Sequence, residues 1–210
     1  MKKLLLKSSL VALLGLASFN ATAFEPTLGK DYIEVSQAPV AQKEVVEFFS
    51  FYCPHCYNFE MEYKIPSLIK EKLPKDVTMK QYHVSFLGKE GKDLTRAWSL
   101  AMAMGVEDKV KTPLFEAVQG HKINSMDDIR ALFIENGISA EQFDGGINSF
   151  AVNGLVKKQE DLAESLNVQG VPAFFVDNKY QVNNEGFSDV KTNEEFIQRY
   201  IDIVLSLTEK

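Results

Sequence analysis

The chain has 210 residues, 45% hydrophobic and 25% charged, with a formal net charge of −6 at neutral pH. That balance supplies a core and excludes a disordered chain, and the acidic excess leaves no basic footprint for nucleic acid. Two cysteines exclude both a disulfide-scaffold protein and a cysteine-rich zinc module.

In chain order, Met1 to Lys7 carries three lysines and no acid, Leu10 to Leu16 is a short apolar run, and Ala21-Thr22-Ala23 places small residues at a cleavage site. A basic start, a short apolar middle and an A-x-A end predict a cleaved signal peptide over 1–23. An uncleaved anchor is the alternative, but the run is short for a bilayer. No later segment has the roughly 18 uninterrupted apolar residues of a membrane span. The expectation is a soluble exported protein, periplasmic in location, in which a disulfide is chemically permissible.

Val45 to Phe51 is nearly continuous in apolar, β-favouring residues and predicts a strand buried on both faces. Cys53-Pro54-His55-Cys56 follows, then a helical stretch over Tyr57 to Leu73 in which Pro66 should kink or end the helix. A second strand is predicted over Val77 to Val84, completing a βαβ unit with parallel pairing.

From Ser85 to Leu166 the pattern is almost wholly helical. Leu94, Ala97, Trp98, Ala101 and Met102 share a face, and Pro113 should open or break a helix near Leu114 to Val118. Ser125 can cap a helix that Asn136-Gly137 stops, Ser139 and Gln142 have capping-box spacing, and Gly145-Gly146 weakens the helix beyond them. Val152, Leu155, Val156, Leu162 and Leu166 suggest a further long helix. Trp98, Met102 and Met104 read as core of this block, with a substrate groove as the second reading.

Strands return at Ala173 to Val176 and near Tyr180 to Val182, with Asp177-Asn178 as a hairpin turn. Thr192 and Glu195 frame a second capping box, and Phe196, Ile197, Tyr200, Val204 and Leu207 line a terminal helix. The order predicts an α/β domain over 24–84 and 167–210, split by an all-helical insertion over 85–166, with neither repeat nor linker.

Both cysteines lie in one C-x-x-C between a strand and a helix. Proline is favoured at the first helical position, which makes Cys53 the N-cap. Its sulfur then replaces the capping oxygen, facing the N–H groups of His55 and Cys56 and the positive helix end, so its thiolate is favoured. Cys56, three residues on, is on the same face and within bonding reach. Stabilising the thiolate favours the dithiol and makes the Cys53–Cys56 disulfide an oxidant. His55 acts in the same sense if its ring faces Cys53. Only His83 and His121 remain as ligands outside the motif, so no metal is expected. Tyr57 stands where haem attachment needs histidine, and a two-residue spacer adds little stability as a merely structural disulfide.

Phe48 to Tyr57, Phe-Phe-Ser-Phe-Tyr-Cys-Pro-His-Cys-Tyr, resembles the active-site strand and turn of the DsbA family, the periplasmic thiol:disulfide oxidants of Gram-negative bacteria. The resemblance continues through Lys80-Gln81-Tyr82-His83-Val84, Gly105 to Val110 and Gly170-Val171-Pro172-Ala173-Phe174-Phe175-Val176, covering essentially all of the mature chain. It implies a thioredoxin fold with an inserted helical domain and donation of a disulfide to newly exported proteins. It also implies reoxidation by a DsbB-type, quinone-linked membrane partner. No cofactor beyond the cysteine pair is expected, and the protein is expected to act as a monomer.

The same resemblance assigns roles around the motif. Pro172 is implied to be cis and to face the disulfide, exposing the Val171 backbone to an extended substrate peptide. Glu47 is implied to be a buried acid that moves protons near Cys56, although the lysine usually paired with it is replaced here by Gln81, with Lys80 adjacent. From the residues alone, Glu47 at a sheet edge would point into solvent, and Glu60 reads as a solvated helix acid able to tune the motif. His83 reads as structural. Two other functions stay open: a reductase or isomerase on the same fold, which His55 argues against, and a peptide-binding chaperone with incidental cysteines, which predicts that Cys53→Ser is silent.

Overall fold

The computed structural model describes residues 24–35 and 42–210; the expected leader over 1–23 lies outside them. Five strands, β1 (Tyr32–Glu34), β2 (Glu44–Phe49), β3 (Thr78–His83), β4 (Ala173–Val176) and β5 (Tyr180–Val182), form one sheet in the order β1-β5-β4-β2-β3. β2 and β3 are parallel, with Glu47 opposite Gln81, and the other pairings are antiparallel. β2 is therefore internal, which is why it is apolar on both faces. The three-residue connection between β4 and β5 places Asp177 and Asn178 at positive φ, and the Lys179 N–H closes the turn on the Val176 carbonyl at 3.0 Å. β1 is three residues long, too short for an alternating pattern to announce it.

After β2 come α1 (Pro54–Tyr57), a wider π-type turn over Asn58–Glu62, and α2 (Ile65–Lys72). These three elements stand where the sequence predicted a single helix with Pro66 at its kink. The break falls at Lys64, whose φ is 53°, and Pro66 lies in the first turn of α2, where a missing N–H costs nothing. Five helices separate β3 from β4: α3 (Gly91–Met104), α4 (Glu107–Gln119), α5 (Met126–Glu135), α6 (Ala140–Gly146) and α7 (Phe150–Ser165). α8 (Asn193–Leu207) closes the chain.

Pro113 neither opens nor breaks a helix; it sits inside α4. An internal proline costs about 3 kcal/mol. Val110, Leu114, Phe115 and Val118 are all buried on that helix, and each large apolar side chain returns about 1.5–3 kcal/mol, so packing wins. Ser125 caps α5 through the Asp128 N–H, and Ser139 with Gln142 completes a reciprocal capping box on α6. The second box is half made: Thr192 caps Glu195, but the Glu195 carboxylate accepts from Lys191 N–H. Gly146 ends α6 where a Cβ would lie 2.5 Å from Leu100.

The core has three parts. One sheet face packs Phe174 and Val176 on α2 and α8, through Ile65, Ile69, Tyr200 and Val204. The other carries Val46, Phe48, Tyr82 and Phe175 against Leu162 and Leu166 near the end of α7. The third is the interior of the helical block, and it runs without interruption into Phe49, Phe51, Cys53 and Cys56. Among the described residues, no helix is long and apolar enough to cross a membrane.

Candidate active site

β2 delivers the chain to the motif, and side chains from β3 and the helical block hold the delivery point. Phe51 N–H donates to His83 Nε2 at 3.2 Å, and Gln119 donates to the Phe51 carbonyl at 2.8 Å. Because Nε2 accepts, Nδ1 carries the ring proton and donates to Thr95 Oγ1, 2.8 Å away, which donates in turn to the Gly91 carbonyl. Burial drives the His83 pKa down to about 3, so the ring stays neutral and this tautomer persists. His83 is thus a structural histidine that fixes the strand end.

Cys53 has extended backbone angles (φ −87°, ψ 115°), and its Sγ accepts the Cys56 N–H at 3.3 Å, while Pro54 occupies the first helical turn. The sulfur is therefore the N-cap group. Its pKa is lowered to about 6, first by the Cys56 thiol, then by the backbone N–H groups of Cys56 and His55, and last by the charge of His55, all against the opposing effect of burial. Cys56 is displaced the other way: burial, followed by the hydrogen bond and charge of Cys53, raises its pKa. Cys53 is 8% exposed and Cys56 1%. Both are free thiols.

The Val171–Pro172 bond is cis, and the Cys53 thiol donates to the Val171 carbonyl at 3.2 Å. Asn184 donates to the Pro172 carbonyl at 2.7 Å and accepts from the Tyr200 hydroxyl at 3.1 Å, tying this loop to α8. Beside the motif, His55, Phe59, Tyr63, Phe187 and Phe196 line a cavity of about 310 Å³. Trp98 is not part of such a surface: it is buried, with its indole N–H donating to the Gln81 carbonyl at 2.8 Å.

Glu47 lies within β2, not at an edge, and is 2% exposed. Burial, then the neighbouring Glu60, raises its pKa to about 8. Gln81 Nε2 donates to both acids, at 2.7 Å to Glu47 and 2.8 Å to Glu60. Glu60 is not a solvated acid as the sequence suggested. It is nearly buried and forms a 2.7 Å ion pair with Lys111 of α4. Lys80 points elsewhere, to Glu44. Lys111, Asn184 and Gln119 carry no signal in the sequence, because each reaches the site from an element remote in the chain.

A capped, acidic cysteine paired with a shielded one, against a cis X–Pro on a thioredoxin-type sheet, defines a thiol:disulfide oxidoreductase whose redox agent is its own cysteine pair. Residues 44–198 match the family profile described as the DSBA-like thioredoxin domain, and the chain belongs to that family. It is 57% identical to the thiol:disulfide interchange protein DsbA of Haemophilus influenzae over the full length of both chains. It is 47% identical to that of Escherichia coli K12 over 98% of this chain and 100% of the relative. Among solved structures, Proteus mirabilis DsbA with a non-covalently bound peptide superposes with a TM-score of 0.85 at 44% identity, covering 89% of this chain and 100% of that one. The chain is thus a thiol:disulfide interchange enzyme whose role is oxidation.

Proposed function

We propose that Cys53 is the attacked sulfur and that the substrates are unfolded or folding exported proteins in the periplasm. A substrate thiolate attacks Cys53 Sγ, the Cys53–Cys56 bond breaks, and Cys56 leaves as a thiolate. Its raised pKa demands a proton, and Glu47, the acid with pKa about 8, is the donor. The second substrate thiolate then attacks the substrate sulfur of the mixed disulfide and expels Cys53 as a thiolate. The substrate loses two electrons to form its disulfide, and the cysteine pair gains them. The acidity of Cys53 carries this reading, because a stable leaving thiolate makes the pair oxidising.

Val171 and Pro172, beside Cys53, are the place for an extended substrate segment, and the aromatic cavity by His55 takes its apolar side chains. Pro54 sets the cap and His55 assists the thiolate. Residues 24–84 with 167–210 form the thioredoxin-like domain, 85–166 the helical insertion and 1–23 a cleaved leader. The enzyme works as a monomer, and a DsbB-type membrane oxidase linked to quinone restores the disulfide. The test is a redox titration of the pair against glutathione, together with Cys53→Ser. A potential near that of cytosolic reductants would turn the reading to a reductase, and an active Cys53→Ser to a chaperone.

A further inference from the structure

Glu47, Glu60, Gln81 and Lys111 meet in one nearly enclosed cluster, although they come from β2, the π-turn, β3 and α4. Lys111 Nζ donates to Gln81 Oε1 at 3.0 Å while pairing with Glu60 Oε1 at 2.7 Å. With Oε1 committed to the ammonium group, the Gln81 carboxamide has one orientation, and its two N–H bonds are aimed at the two acids. A carboxamide carries no charge, so the lysine that the family resemblance places at 81 has no electrostatic equivalent at that position, and the neighbouring Lys80 is paired with Glu44. The only basic side chain on the cluster's described residues is Lys111, and it is 12% exposed. Burying an ammonium group is costly unless it is paired and hydrogen-bonded, and both conditions are met by this one cluster.

We propose that Lys111 is a positioning residue for the proton on Glu47, supplying from the helical block the cation that position 81 lacks and setting how tightly that proton is held. This rests on Glu47 as the proton donor to Cys56 for its catalytic consequence, but not for its effect on Glu47 itself. The mechanism has two parts. The ammonium group attracts the Glu47 carboxylate directly, and it fixes both Glu60 and the Gln81 amide against it. The groups facing Glu47 from the surrounding elements are Glu60 and Lys111, the Cys53 and Cys56 thiols of the motif, and the Tyr200 hydroxyl of α8. Of these, Lys111 is the cation, so its removal shifts the balance toward the protonated acid.

The experiment uses the full chain and three variants: Lys111→Met, Lys111→Arg and the exchange Gln81→Lys with Lys111→Gln. The carbonyl stretch of protonated Glu47 is followed by infrared titration, with Glu47→Gln in each background identifying the band. The pH profile of disulfide exchange with a dithiol peptide is recorded alongside. Lys111→Met is expected to move the Glu47 midpoint up by about one pH unit, a tenfold gain in proton affinity. Lys111→Arg and the exchange, which keep a cation in the cluster, should titrate close to the parent. A folded Lys111→Met protein with an unmoved midpoint would overturn the proposal. Should Lys111→Met fail to fold, the exchange variant decides alone: a midpoint displaced upward despite the relocated lysine would also overturn it. If the Glu47 midpoint moves while the exchange profile stays fixed, Lys111 positions Glu47 as argued and the donor role of Glu47 falls instead.

Discussion

Three positions separate Cys53 from Cys56, yet their acidities are driven in opposite directions, and the reason is local geometry. Between pH 6 and 7 iodoacetamide should therefore modify Cys53 of the reduced protein first; mass spectrometry finding Cys56 alkylated first would reverse the assignment. His55 is the last of the influences on Cys53, behind the Cys56 thiol and the backbone N–H groups. His55→Ala should accordingly lower the reduction potential, at about 30 mV per pH unit of lost thiolate stabilisation. An unchanged potential would leave the Cys56 thiol and the backbone N–H groups as the whole cause. At Glu47 the folded pKa of about 8 lies above the ordinary 4.5. The folded state then binds the extra proton, so the contribution of this one group is greatest below about pH 4.5 and is lost as pH rises toward 8, by about 1.4 kcal/mol per pH unit. Glu47→Gln should flatten that slope in urea melts, and a retained slope would place its origin elsewhere. The capped cysteines are legible in the sequence because C-x-x-C after an apolar strand fixes its own cap. Lys111 is not, since nothing within the α4 sequence shows which strand its ammonium group will reach.

Helices whose ends carry local chemistry are equally legible: Ser125, Ser139 and Thr192 all cap where their spacing says. The departures occur where tertiary packing overrides a local rule. Pro113 survives inside α4 because four buried side chains outweigh one lost hydrogen bond. The break at Lys64 is invisible because lysine carries no turn signal, while Pro66 nearby points two residues too far. β1 exists through its pairing with β5, not through its own three residues. The capping box on α6 gives a clean test at this scale. Ser139→Ala should cost about 1 kcal/mol of unfolding free energy and leave the reduction potential unmoved. A changed potential would mean that α6 communicates with the cysteines through Leu100 and the shared core.

Over the whole molecule, the acidity of Cys53 becomes a difference between redox forms. A thiolate stabilised only in the folded state adds stability above its folded pKa of about 6, increasing up to the ordinary value of 9. At pH 7 that amounts to about 1 kcal/mol once solvent screening is allowed for. A two-residue disulfide loop contributes little in the opposite direction. The reduced protein should therefore unfold at higher urea concentration than the oxidised one at pH 7 and above, and the gap should close below pH 6. An oxidised form that is the more stable at pH 7 would contradict the oxidant chemistry. The α/β division and the helical block are plain from hydrophobic period, but their continuous core with the cysteines is not, because it depends on how two separately periodic regions dock. The sheet order adds a consequence for biosynthesis. β2 carries the motif near the N-terminus, yet its antiparallel neighbour β4 and the contacts of Pro172 lie beyond residue 170. A chain emerging N-terminus first therefore displays its two cysteines long before the strand and loop that complete their surroundings. Until the last fifth arrives, Cys53 lacks the Val171 carbonyl and the Pro172 loop beside it, and the surface around the motif is finished only with the chain's own completion.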